Sequence, residues 1–404
     1  MPSGGAKGRR RRRLGLALAG GGPEGAVYEI GALRALDETL EGLDLTAMDV
    51  YVGVSAGAFV SAALANGLTP SQLARAMVKQ EPGEHPFVPQ TFFTPAYREW
   101  ARRSMLLPRL VGEAILAVTR RPGDLRLAES LTRVGRALPV GVFDNEPIRR
   151  FLKRMFSIKG RTDDFRELAS KLVVVATDLD AGQAVRFGDP GYDDVPISRA
   201  VQASTAFPGL YPPVEINGRR CVDGVLLKTL HASVALEHGA KLVLCVNPLV
   251  PADTETGVQR GELPPNVIAH GGLPLVMSQA FRTMVHSRLK VGMAAYETRF
   301  PGADVVLFEP EPDEYDMFFT NIFSFSSRRA VAELAYQATR RQLRAQRDVL
   351  EPMLAEHGIR IRDDVLDDHT RDLWSGVGAD GDGGAPERFA RAVEGLTRAA
   401  GRRG

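Results

Sequence analysis

The segment Gly53-Val54-Ser55-Ala56-Gly57 joins two apolar runs of different character. Asp49-Val50-Tyr51-Val52 has the β-branched and aromatic content of a short buried strand, and Ala58 to Leu64 reads as helix. Where a strand turns directly into a helix the backbones crowd, so only glycine fits two positions before and two after the serine. The hydroxyl is left at a helix N-terminus, where unpaired N–H groups and the helix dipole favour developing negative charge. In a chain with 41 glycines this pattern gains weight only from its surroundings.

Upstream, Leu14 to Ala19 forms a short apolar strand that runs into Gly20-Gly21-Gly22-Pro23-Glu24-Gly25. Val27, Ile30, Leu33 and Leu36 follow at helical spacing. Strand, glycine-rich turn and helix together make an anion cradle of backbone N–H groups. Downstream, Arg219-Arg220-Cys221-Val222-Asp223-Gly224 puts an acid at the end of another short strand.

In this order, G-G-G-x-x-G, G-x-S-x-G and Asp-Gly resemble the patatin-like phospholipases, lipid acyl hydrolases with a Ser-Asp dyad. Residues 203–213 (ASTAFPGLYPP) resemble the segment preceding the dyad acid, and residues 177–182 (TDLDAG) a strand-end stretch of bacterial members. The resemblance covers residues 14–250 and implies an α/β fold, a three-layer α/β/α arrangement with a central, mostly parallel sheet and helical insertions. It implies Ser55 as nucleophile, Asp223 as base and Gly20, Gly21 and Gly22 as carriers of the oxyanion hole. Gly25, Gly53, Gly57 and Gly224 are its motif glycines, and the implied substrate is a lipid ester. Two positions depart from the family: Glu24, where bacterial members usually carry a basic residue, and Val225, where Gly or Ala is usual. A carboxylate beside a developing oxyanion is unfavourable unless it is paired or faces solvent.

The residues support such chemistry on their own. A serine hydroxyl needs a base, and a carboxylate serves once burial raises its pKa. Neither a metal nor a cofactor is required. The competing triad in Ser-Asp-His order would use His270, placed in a glycine-rich stretch. The glycine loop also fits a dinucleotide fingerprint, but the second strand ends in Ser55 rather than in a carboxylate for a ribose. No Gly-Lys-Ser/Thr follows the glycines, which excludes a Walker A loop. A third reading is a catalytically weak lipid-binding or regulatory protein on the same fold, with Glu24 as the feature in its favour.

Charge and composition bound the rest. The net charge is +2, but Lys7 and Arg9 to Arg13 supply six positive charges, leaving 45 basic against 49 acidic residues. The body is therefore not built to bind nucleic acid, whereas the arm at 1–13, read as disordered, could attract an anionic membrane. It imitates a signal peptide, yet its apolar run of six residues leads straight into the glycine loop. Cys221 and Cys245 lie in strand-like runs and read as reduced core residues, so a cytoplasmic protein is expected, with peripheral membrane contact an option. No apolar run reaches 18 residues.

The chain divides into the arm, a catalytic core over 14–250, a helical extension over 251–357 and a mostly flexible tail over 358–404. Prolines break 82–140 into an insertion or lid, and the basic amphipathic stretch 94–121 is a second candidate for membrane contact. Helices are expected at 144–156, 232–237, 273–298 and 326–354, and strands at 172–176, 183–187, 241–246 and 304–308. The Gly- and Asp-rich stretch 376–384 lacks the regular acidic spacing of a calcium loop.

Overall fold

The structure, a computed structural model, describes residues 13–79, 93–105, 139–315 and 325–377. Most of the expected insertion at 82–140, the arm before Arg13, and the chain beyond 377 lie outside the described residues.

Among the described residues one eight-stranded sheet forms the frame. Its strands are β1 (Leu14–Leu18), β2 (Val50–Val54), β3 (Lys171–Asp178), β4 (Gln183–Phe187), β5 (Val214–Ile216), β6 (Arg219–Asp223), β7 (Leu242–Val246) and β8 (Asp304–Phe308). They run in the order β5-β6-β3-β2-β1-β7-β8, with β4 paired to β3. The run β3-β2-β1-β7-β8 is parallel; β4, β5 and β6 join antiparallel.

The parallel strands are continuous apolar runs because both of their faces are covered. Side chains alternate between two cores. Leu14, Leu16, Leu18, Tyr51, Val174 and Leu244 enter one, with helices α1 (Gly22–Thr39), α2 (Ala56–Ala65), α3 (Glu146–Phe156) and α4 (Ile197–Ser204). Ala17, Val52, Val54, Val175 and Cys245 enter the other, with α5 (Ala232–Glu237) and Val285, Leu289 and Tyr296 of α6 (Gly272–Arg299). This is the expected three-layer α/β/α arrangement. Helix α2 is apolar on all sides and is buried from Ala56 to Leu64, as a helix enclosed by other elements must be. Both cysteines are buried and free.

Two expected boundaries move. Arg13 is not part of a detached arm: its carbonyl accepts from the Lys241 N–H at 2.7 Å, and its guanidinium donates to the His238 carbonyl at 2.9 Å. Within the extension after 250, the strand expected at 304–308 is β8, which adds to the sheet in parallel with β7. The tail is docked as far as residue 377. Arg360–Ile361 pairs with Leu40–Glu41, and Ile359, Ile361, Val365, Leu366 and Leu373 are buried. The reason is a buried cation: Arg340, on α7 (Phe325–Ala345), donates to the carbonyls of Val365, Leu366 and Asp368 at 2.7, 3.1 and 2.6 Å. These carbonyls replace the water that the guanidinium loses on burial, so the cation is satisfied only where the segment supplies them.

Leu373→Ala tests the docking. A flexible tail would tolerate it silently, whereas loss of a fully buried leucine is expected to cost about 2–4 kcal/mol, read as a lowered thermal midpoint.

Candidate active site

Ser55 and Asp223 meet because two strands share one edge of β3. Strand β2 pairs with β3 from Lys171 to Val175, the last pair being Val54 with Val175. Strand β4 occupies the opposite edge from Val174 to Asp178. The edge that β2 leaves free is taken antiparallel by β6, with Asp223 opposite Ala176. Asp223 therefore sits one register step beyond Val54, next to Ser55.

The turn around Ser55 is as tight as its sequence requires. A Cβ on Gly53 would lie 2.5 Å from the Ala58 Cα, and one on Gly57 2.5 Å from the Leu18 carbonyl. Ser55 itself has φ 53° and ψ −118°, a left-handed conformation that costs a non-glycine residue about 1–3 kcal/mol. Its neighbours over-determine it. The Ser55 N–H donates to Ser204 Oγ at 2.8 Å, and that hydroxyl donates to the Val175 carbonyl at 2.6 Å. The Gly57 N–H donates to the Ala19 carbonyl at 3.1 Å, tying the turn to the end of β1. Ser204 is a residue that sequence reasoning missed as a site member, although it lies inside the 203–213 stretch.

The Asp223 carboxylate is buried, accepts from the Val225 N–H at 3.0 Å and has the Ser55 side chain beside it. Burial pushes its pKa from 3.8 up to about 7, against the smaller opposing effect of these two neighbours. The Val225 departure is thereby accommodated, because a main-chain donor is indifferent to its side chain. Gly224 must be glycine: a Cβ there would stand 2.4 Å from the Val175 carbonyl oxygen.

The glycine loop divides its residues between roles. Gly20 packs against Ser55 and Val225, and its N–H is committed to the Thr229 carbonyl at 3.3 Å, so it has no donor to offer an oxyanion. Gly21 and Gly22 line the cavity beside Ser55, with Gly22, at φ +61°, opening α1. The first N–H groups of a helix have no intrahelical partner. Gly25 and Gly21 pack on Pro248, where a Cβ would stand 3.0 and 2.6 Å from Cγ.

Glu24 neither faces open solvent nor stands alone. Arg282, from α6, approaches it to 3.8 Å. Burial pushes the Glu24 carboxyl up to about 7, outweighing the arginine, so near neutrality it carries only part of a charge. Nothing in the sequence singled out Arg282, one arginine on a long helix far along the chain.

Ser55 and Asp223 open into a cavity of about 620 Å³ whose walls are mostly apolar, including Phe59, Met77, Ile148, Phe207 and Phe281. That is the size and character of a small-molecule site. His270 is exposed at the end of the short helix Val267–His270 and does not line it. Among the described residues no histidine does, so the Ser-Asp-His arrangement lacks its third member here. His231 is buried behind the Asp223 turn with its pKa pushed down to about 3, chiefly by burial.

The three-layer α/β fold agrees with comparison to known sequences. The model of the family described as patatin-like phospholipase matches residues 16–236, and the chain belongs to that family. Uncharacterized NTE family proteins of Mycobacterium tuberculosis and Mycobacterium bovis are each 27% identical over 240 residues, 58% of this chain and 30% of theirs. The chain thus spans less than a third of the length of these relatives. Among solved structures, VipD from Legionella pneumophila is similar with a TM-score of 0.38 at 12% identity, over 83% of this chain and 67% of that one. Human GIVD cytosolic phospholipase A2 gives 0.37 at 12% identity, over 86% and 60%.

The raised Asp223 pKa has a consequence for stability. Between pH 3.8 and about 7 the folded chain holds a proton at this site that the unfolded chain has lost, so this site's contribution to stability falls as pH rises through that window. Asp223→Asn removes the effect. The difference in thermal midpoint between the variant and the wild type is expected to shift in the variant's favour from pH 4 to pH 8; a constant difference would show that the carboxyl is not perturbed.

Proposed function

We propose that the protein is a lipid acyl hydrolase that cleaves carboxylic esters through Ser55 and Asp223. The observation that carries this reading is the placement of the Ser55 side chain beside the buried Asp223 carboxylate, set by adjoining strand ends, at the wall of an apolar cavity. Ionised Asp223 takes the hydroxyl proton as Ser55 Oγ attacks the ester carbonyl carbon. The developing oxyanion is received by the N–H groups of Gly21 and Gly22, assisted by the dipole of α1. Collapse breaks the ester C–O bond, the departing alcohol takes the proton from Asp223, and an acyl-Ser55 ester remains. Water, deprotonated by Asp223, then hydrolyses it and returns the proton to Ser55 Oγ. No step needs a histidine.

The cavity rim supports a lipid surface as the place of action. Leu210 and Met277 line the cavity and are also exposed, by 43% and 59%. Leu273 and Val276 extend this apolar surface along α6. On the other side the Val142 N–H donates to the Gly209 carbonyl, and the half-exposed Trp100 reaches the Val142 carbonyl. Trp100 and Tyr97 belong to the helix Tyr97–Ser104, the described part of the basic amphipathic stretch. Aromatic residues with polar tips favour the membrane–water boundary. Glu24 had favoured a catalytically weak protein; its placement 3.8 Å from Arg282 supports the hydrolase reading instead.

Two measurements test the reading. Turnover of a short-chain nitrophenyl ester is expected to fall at least about a thousandfold in Ser55→Ala, and equal rates in both proteins would overturn the proposal. Because the base must be ionised, kcat/KM is expected to rise with pH through a limb near 7. A limb near 4 would mean that the essential group is a carboxylate in water.

A further inference from the structure

Ser55 is the first residue that the β2–β3 ladder does not hold, because the last pair of that ladder is Val54 with Val175. Its N–H reaches the Val175 carbonyl by way of Ser204, the last residue of α4. The Ser55 N–H donates to Ser204 Oγ at 2.8 Å, and that hydroxyl donates on to the carbonyl at 2.6 Å. A hydroxyl can stand between a donor and an acceptor because it is both. This relay takes the place of a direct ladder bond, so the backbone can leave the sheet at φ 53° with its N–H still paired.

The same relay touches the turn that carries the acid. The Val175 carbonyl oxygen that receives the Ser204 hydroxyl is the atom against which Gly224 packs, since a Cβ there would stand 2.4 Å from it. Two residues beyond Ser204, the Ala206 carbonyl accepts from the Asp223 N–H at 3.0 Å. Thr177 Oγ1 donates to the Asp223 carbonyl, also at 3.0 Å. The stretch 204–206 therefore grips the main chain at both Ser55 and Asp223. Ser204 has no exposed surface and does not line the cavity, although its neighbours Thr205 and Phe207 do. A substrate is out of its reach, whereas the two turns are not.

We infer that Ser204 is a positioning residue of the hydrolase: its hydroxyl fixes the turn at Ser55 against the turn at Asp223, so its loss slows the chemical step and leaves substrate binding in place. An alanine there strips partners from a buried N–H and a buried carbonyl at once, and the strained turn is then free to relax. A displacement of about 1 Å in a reacting group costs up to about a hundredfold in rate. The inference rests on the hydrolase reading above.

The test measures kcat and KM on the nitrophenyl ester for the wild type, Ser204→Ala and Ser204→Cys, each corrected for its folded fraction. Ser204→Ala is expected to lower kcat about tenfold to a hundredfold while KM stays within about twofold. Ser204→Cys, close to serine in size but a weak hydrogen-bonding group, loses kcat by a smaller factor. Leu373→Ala, a core truncation outside the cavity wall, is the control for lost stability and keeps the wild-type kcat. A kcat for Ser204→Ala within about twofold of the wild type overturns the inference. So does a loss that appears in KM alone, or one that Leu373→Ala reproduces. An unchanged kcat in Ser204→Cys overturns it as well, since size without the relay would then suffice, and this variant decides the matter if Ser204→Ala does not fold. A wild-type protein that fails to turn over the ester refutes the hydrolase reading, and this inference with it.

Discussion

A β-strand has two edges, and the site of this protein depends on how one edge of β3 is shared. Because β2 stops at Val54 and β6 begins its pairing at Asp223, two strands that run in opposite directions end beside each other on the same neighbour. Ser55 turns off the end of one, and Asp223 is the end of the other. The contact between them is therefore set by backbone register, which a side-chain substitution does not easily move. The same geometry creates the chemistry. An aspartate at this position ends a strand one in from the edge of the sheet and is buried, and it is this burial that raises its pKa to about 7.

That arrangement is destabilising taken alone. Ser55 holds a left-handed backbone and Asp223 a desolvated acid, and each is tolerated because the surroundings fix it. The fixing groups are few: Ser204 bridging the Ser55 N–H to Val175, the Val225 N–H on Asp223, and the glycines that let α2 and β1 close on the turn. The compensating stability comes from two apolar cores, one on each side of the sheet, and from the packing of α1 on α7. Gly31 permits that packing, since a Cβ there would stand 2.1 Å from the Ala332 carbonyl oxygen.

Much of this was legible in the sequence where the controlling residues are close together. The elbow at 53–57, the glycine loop at 20–25 and the turn at 223–224 are each a strand end followed by a helical turn, and steric crowding dictates their glycines locally. Strands at 172–176, 183–187, 241–246 and 304–308 announced themselves by apolar content. Edge sharing was not legible, because pairing of β6 with β3 depends on where β2 ends. The docked segment after 357 was missed since its apolar residues come in no run longer than a pair, as in Val365-Leu366 and Leu373-Trp374, among aspartates and arginines, and the segment is held by Arg340 of a helix earlier in the chain. Gly20 was grouped with its neighbours, and only the Thr229 carbonyl, far along the chain, distinguishes it.

Glu24 is the instance in which sequence and structure pull furthest apart. Read on the chain, a carboxylate in the first turn of α1 argues against an oxyanion nearby. In the fold it is mostly shielded from solvent, partly protonated near neutrality, and 3.8 Å from a guanidinium that comes from another layer. The positive charge near the site is thus carried by α6 rather than by the glycine loop whose Gly21 and Gly22 line the cavity. Separating the two has a physical consequence. A cation on the loop would act on every ester through the oxyanion, and changing it would disturb the turn that positions Ser55. A cation on the facing wall acts on whatever part of the substrate lies there, and its strength can be tuned by the acid behind it while the turn around Ser55 stays fixed.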